Sequence, residues 1–232
     1  MAVIGGEKPI NVLETVAADL AAIDVDHPLR VAVDGITAAG KTTFANGLGA
    51  IVAALGRDVI RISMDGFHNP RALRYRQGRG SPDGYYEDAY DFAALRQSVL
   101  EPLGDDGDRR YRTAIIDLAA DVPVSEADTA APVDAVLIVD GSFLQKPVLR
   151  GAWDVVVYLR ASFGAAERRG AARDAPAFGG EEAAVAALRS RYHAAQRRYI
   201  AECAPELNAD IVIDVEDPSS PRIARRLGRP GS

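Results

Sequence analysis

One cysteine, Cys203, stands in a chain of 232 residues, so no disulfide can form within it. No apolar run approaches the roughly 20 residues a helix needs to cross a bilayer. The N-terminus also lacks the basic-then-apolar pattern of a secretory signal. A cytoplasmic location without a membrane partner is therefore expected. Excess positive charge is missing too: the formal net charge of −6 argues against general nucleic-acid binding. The arginine-rich "RALRYRQGRG" (71–80) is a local exception, and the acidic "DGYYEDAYD" (83–91) follows it at once, which confines any positive field to one loop region. No internal repeat is present.

What is there suits one globular α/β domain. Hydrophobic residues make up 48% of the chain and charged ones 26%, enough for an ordinary core without covalent staples. Residues 11–23, "NVLETVAADLAAI", carry apolar side chains at helical spacing behind an asparagine N-cap, so a short amphipathic helix packed on the core is expected within 1–28. Five β-branched-rich runs follow: 29–34, 58–63, 135–140, 155–159 and 209–215. Several are apolar on successive residues, as parallel strands covered on both faces are. Helical patterns near 41–55, 88–101, 162–173 and 181–203 separate them, giving the alternation of a doubly wound sheet. The main domain is expected over 29–227, with a small hairpin insertion at about 109–125, a lid at about 168–182 and a disordered tail at 228–232.

"VAVDGITAAGKTT" (31–43) is the most informative stretch. Gly35, Gly40, Lys41 and Thr42 satisfy G-x-x-x-x-G-K-[ST], placed between an expected strand and an expected helix as the mechanism of a phosphate-binding P-loop demands. Glycines let backbone N–H groups turn inward around phosphate oxygens, and the helix N-terminus adds partial positive charge. The nucleotide-binding set is then Gly35, Thr37, Ala38, Ala39, Gly40, Lys41, Thr42 and Thr43. ATP is the expected ligand, with Lys41 reaching its β and γ phosphates and the Thr42 hydroxyl serving Mg²⁺.

Three further stretches offer the groups that phosphoryl transfer needs at the carboxyl ends of strands. Asp65, in "RISMDGFHNP", lies just past the second strand and is a candidate to accept or orient a hydroxyl proton; an Asx-turn role competes with it. Asp140 ends the apolar strand "AVLIVD", where an unmet carboxylate would be costly, as a Walker-B-type metal acid does. Asp34 directly precedes the loop and suits loop support. Arg168, Arg169 and Arg173 precede the small-residue segment "APAFGG" (175–180), a pattern fitting a lid that closes over phosphates, although for any single arginine a solvated helix face is the favoured reading.

"GITAAGKTT", "MDGFHNP", "YEDAYDF", "LIVDGSFL" and "ERRGAARD", in this order and spacing, resemble the uridine kinase and phosphoribulokinase family of P-loop kinases, which includes pantothenate and some sugar kinases. The likeness covers about residues 29–215. It implies a P-loop NTPase fold with a mostly parallel five-stranded sheet flanked by helices, Asp65 as catalytic base, Lys41 with Arg169 and Arg173 on the transferring phosphate, and Thr42 with Asp140 at the metal. The acceptor side is expected among Asp65, His68, Asp83, Tyr85, Tyr86 and Tyr111. Departures fall on that side: Ile116 stands about where a pyrimidine-reading histidine would be. The resemblance implies a kinase for a small-molecule hydroxyl, with a uridine- or cytidine-like nucleoside first, pantothenate or a sugar as alternatives, and a homo-oligomer. An ATP-dependent switch or chaperone acting on a protein is the competing class, and it would call for an insertion or exposed apolar stripe that the sequence does not display.

Overall fold

All five apolar runs form strands in the computed structural model, which describes residues 11–125 and 127–226. They are β1 (Leu29–Gly35), β2 (Val59–Ser63), β7 (Val136–Asp140), β8 (Val155–Arg160) and β9 (Ile211–Asp214). β8, β1 and β7 are buried at nearly every position, which is why their sequences read as unbroken apolar runs. A sixth strand, β10 (Arg222–Arg226), adds antiparallel to β9 and completes the order β10-β9-β8-β1-β7-β2. Its sequence, "RIARR", alternates exposed and half-buried residues as a charged edge strand does, and gives no apolar run to read.

Register decides where the site can be. Asp140 pairs with Val33 on one side and with Ser63 on the other, so the carboxyl ends of β1, β7 and β2 finish at one level. Whatever follows those three strands must meet there. Apolar side chains of β1 alternate between two cores: Leu29, Val31 and Val33 face α1 (Val12–Ala21) and α2 (Lys41–Ala54), whereas Ala32 faces the opposite layer. That layer holds α4 (Pro82–Asp88), α5 (Phe92–Leu95) and α8 (Ala194–Cys203), with Phe143 and Tyr199 fully buried among its aromatic rings. The expected Asn11 cap is present, its side chain accepting from Leu13 N–H at 3.1 Å.

The stretch expected as one hairpin is built as two nested ladders. β3 (Arg110–Tyr111) pairs with β6 (Thr129–Ala130), and β4 (Ile116–Asp117) pairs with β5 (Val122–Pro123), so the insertion reaches to residue 130 rather than 125. A short α3 (Arg71–Arg74) precedes α4. The segment "APAFGG" is not a loop: α6 (Phe163–Phe178) continues through Pro176 and stops at Gly179, whose φ of 80° is the left-handed terminator glycine permits. α7 (Glu181–Ala187) then runs into a π-helical turn, Leu188–His193. The tail 228–232 and the first ten residues lie outside the described residues. Among the described residues no helix is long and apolar enough to cross a membrane.

Candidate active site

The chain leaves β1 through a turn that its residues are suited to make. Gly35 adopts φ 153°, and a Cβ there would come within 2.8 Å of the Leu159 carbonyl on the adjacent strand. Gly40 (φ 95°) caps α2 with open space where a side chain would stand, leaving the helix N-terminus uncovered. Beneath the turn, Asp34 is fully buried and accepts from the Gly35 N–H at 2.8 Å, the Tyr199 hydroxyl at 2.5 Å and Gln145 Nε2 at 3.1 Å. Burial raises its carboxyl above the usual range, while the Tyr199 and Gly35 hydrogen bonds and the Lys41 ammonium oppose the rise.

Lys41 is half-buried and donates to the Ile36 carbonyl at 2.9 Å. Burial lowers its pKa, and Asp34, Asp140 and Asp65 pull it back up. Thr42 Oγ1 donates to Asp140 Oδ2 at 2.6 Å, and Arg61 Nη2 donates to the other Asp140 oxygen at 2.6 Å. The acid expected at the metal is thus already joined to the hydroxyl expected there. One observation tests whether a triphosphate with Mg²⁺ fits: Thr37 Oγ1 is buried in the loop with no partner, beside the open helix N-terminus. A lysine, an unsatisfied hydroxyl, free backbone N–H groups and a hydroxyl-carboxylate pair form the donor set such a ligand requires, so the residues fit it.

A cleft of about 540 Å³ opens over the loop. Of the residues expected in the site, it gathers Thr37, Ala38, Lys41, Thr42, Asp65, His68, Tyr85, Asp140 and Arg173. Asp65 sits on the single 3-10 turn Met64–Phe67 that follows β2, with its side chain 71% exposed to the cleft. His68 Nδ1 lies 3.1 Å from the Asp65 carbonyl oxygen, and its ring packs on Tyr90 at 4.3 Å. Burial lowers the His68 pKa, which leaves a neutral imidazole at pH 7.

Four residues expected at the lid and acceptor side are elsewhere, and each placement corrects the sequence reading. Arg169 donates to the Val215 carbonyl at 2.7 Å and ties α6 to the chain after β9. Asp83 pairs with Arg198 at 2.8 Å on the outer surface. Tyr86 is buried and donates to Glu202 at 2.7 Å, and Tyr111 is buried under the insertion. Helical spacing explains Tyr86, since adjacent residues of α4 face different directions and Tyr85 takes the cleft. Sequence reasoning assigned no role to Arg71, Arg74, Arg79, Arg191 or Tyr192, all of which line the cleft. The signal for three of them was the basic stretch 71–80.

The α6–α7 segment packs hard against the loop: a Cβ at Gly170 would meet Leu188 at 2.9 Å and Ala38 at 3.0 Å. The insertion packs equally hard against the Asp65 turn. Ile115 N–H donates to the Gly66 carbonyl at 2.8 Å, a Cβ on Gly66 would strike Ala114 at 2.9 Å, and Asp121 accepts from Arg71 N–H at 2.9 Å and from Arg74 Nη1 at 2.7 Å.

This combination of parallel sheet, P-loop and strand-terminal acids defines the fold of the P-loop kinases, and solved structures agree. A possible uridine kinase from Bacillus stearothermophilus superimposes with a TM-score of 0.68 at 22% identity, over 86% of this chain and 96% of that one. The "putative fructose transport system kinase" from Silicibacter sp. TM1040 gives 0.66 at 25% identity, over 82% and 95%. Phosphoribulokinase from Rhodobacter spheroides gives 0.56 at 20%, over 87% and 76%. No family model and no curated protein matches the chain. The chain therefore shares the fold of the uridine kinase and phosphoribulokinase group, as its motifs led one to expect.

Proposed function

We propose that the protein is an ATP-dependent kinase that moves the γ-phosphate to a hydroxyl of a small molecule, with Asp65 as the base. One observation carries the reading: the Lys41–Thr42–Asp140 group and the exposed Asp65 carboxylate face a single cleft. Thr37, Lys41 and the loop N–H groups would hold the triphosphate, and Thr42 with Asp140 would hold Mg²⁺. When bound, the metal supplies charge neutralisation between phosphate oxygens. Lys41 and Arg173 stabilise charge on the transferring group. Asp65 orients the acceptor hydroxyl and takes its proton as the oxygen bonds to the γ-phosphorus; the bond to the β–γ bridging oxygen breaks and ADP leaves.

A nucleoside acceptor stood first on sequence grounds; of its expected readers Asp65, His68 and Tyr85 line the cleft and Asp83, Tyr86 and Tyr111 do not, so the kinase reading is stated without it. A coupled ADP-release assay over nucleosides, sugars and small acids tests the proposal. Acceptor-dependent turnover should fall by about 10²–10⁴-fold in Asp65→Asn, with ATP affinity little changed. Full turnover in that variant would overturn the assignment.

A further inference from the structure

The acceptor end of the cleft sorts charge by sign. Between residues 71 and 91 the acids are engaged away from the cleft: buried Asp88 binds Arg76 at 2.5 Å, Asp83 and Glu87 bind Arg198 at 2.8 and 2.7 Å, and Asp91 accepts from the Ala94 N–H at 2.8 Å. Arginines 71, 74 and 79 of the same stretch line the cleft, where Arg191 of the π-helical turn joins them. Of these four, Arg74 has its own carboxylate in Asp121. Among the described residues, no carboxylate lies within 4 Å of the guanidinium of Arg71, Arg79 or Arg191. Among the described residues, the acids lining the cleft are Asp65, Asp140 and Asp174, and the last two are held by Arg61 and Arg173.

Exposed arginines often need nothing but water, so Arg191 decides the matter. It is half-buried, its Nη1 donates to the Tyr192 hydroxyl at 3.4 Å, its Nε is buried without a hydrogen-bond partner, and its guanidinium is boxed by the rings of Tyr75, Tyr85 and Tyr192 at 5.3, 5.3 and 5.0 Å. Arg79 and Arg74 also lie over the Tyr75 ring, at 4.9 and 5.2 Å. Two consequences follow. A partly buried guanidinium with an unmet donor and no carboxylate within reach is suited to meeting an anion. Three of the cleft's aromatic rings, Tyr75, Tyr85 and Tyr192, already carry guanidinium groups and are less open to a stacked nucleobase.

We propose that the acceptor is itself an anion: a small hydroxylated molecule whose carboxylate or phosphate monoester is held by Arg191, with Arg71 and Arg79 at the rim, while its hydroxyl meets Asp65. The inference rests on the kinase reading only for which end of the cleft holds the acceptor. It also gives Arg191 a binding role that a purely structural cation-on-ring contact would not have.

Matched pairs test it in the ADP-release assay: glycerate against glycerol and ribose 5-phosphate against ribose, with uridine as the neutral nucleoside. The anionic member of at least one pair should exceed its neutral partner at least a hundredfold in kcat/KM, and which pair responds distinguishes carboxylate from phosphate. Arg191→Gln should raise KM for that substrate about ten- to a hundredfold with kcat within a few-fold, as loss of one charge-assisted contact does. Arg79→Gln, at an exposed position that tolerates substitution, should raise it less. Calorimetry with inorganic phosphate on the ADP-Mg²⁺ complex gives a readout independent of turnover, and its binding should be lost in Arg191→Gln. Uridine or another neutral compound turning over as well as the acids would refute the anion assignment and keep the kinase. Phosphate binding abolished by Arg191→Gln, with no acceptor turned over, would support the anion site and count against the kinase. An unchanged KM and unchanged phosphate binding in Arg191→Gln would overturn the proposal.

Discussion

Tyr199→Phe removes one oxygen and should be felt at the phosphate loop. The hydroxyl donates to Asp34 at 2.5 Å and accepts from the Gln145 N–H at 2.9 Å, inside a core where both Tyr199 and Asp34 are fully buried. A hydrogen bond to a buried carboxylate is worth about 1.5–3 kcal/mol. For a chain of this size each kcal/mol moves Tm by about 2–4 °C, so a loss of roughly 3–12 °C is expected at neutral pH. The pH dependence identifies the cause. Burial raises the Asp34 pKa in the folded state, so this group favours folding most at acid pH and its contribution falls as pH rises above the unfolded value of 3.8 toward the folded one. Tyr199 supplies the largest opposing interaction; without it the folded pKa climbs further and the fall continues to higher pH. Differential scanning calorimetry should therefore find Tyr199→Phe more destabilised at pH 8 than at pH 5. In an Asp34→Asn background that difference should vanish. Equal losses at both pH values, or a difference that survives in Asp34→Asn, would refute the reasoning.

Gly35→Ala forces a methyl to within 2.8 Å of the Leu159 carbonyl at φ 153° and should destabilise the fold by about 1–3 kcal/mol while weakening ATP binding, measured by thermal unfolding and calorimetric titration. Lys146 lies 3.6 Å over the Tyr86 ring, and burial lowers its pKa to about 8. The unfolded chain therefore binds more protons between about pH 8 and the unperturbed 10.5, and stability from this group rises with pH across that window. Lys146→Met should flatten the rise in urea-unfolding free energy between pH 8 and 10; an unchanged slope would assign it to other groups.

The sheet was legible because β1, β7 and β8 are buried on both faces and their sequences are apolar at most positions, with charge mainly at the strand ends. β10 was not, because an antiparallel edge strand of arginines lacks that pattern. On the donor side, Lys41 and Thr42 follow one another in a motif whose spacing is set by the turn itself, and Asp140 is marked by ending an apolar strand. The acceptor side has no such rule. Arg79 and Arg191 are far apart in sequence and meet only because α4 packs on the π-helical turn, and Tyr85 and Tyr86 differ in role through one helical step. Arg169 and Arg173 likewise lie on one helix four residues apart, yet only Arg173 reaches the cleft; Arg169 is taken by the Val215 carbonyl, a partner with no sequence signature.

The insertion between β3 and β6 has a bearing on how such a protein can diversify. The Gly35–Thr42 loop and the turn bearing Asp65 both leave the central sheet, but that turn and the helix bearing Arg71 and Arg74 are also braced from outside by Ile115 and Asp121. The Asp65 turn thus shares the sheet with the loop but carries a second brace that the loop does not. A graft of residues 110–130 from another chain of this fold would exchange the brace that shapes the acceptor pocket and leave Gly35 to Thr42 on their own footing. Inheritance can then reshape one end of the cleft without disturbing the other.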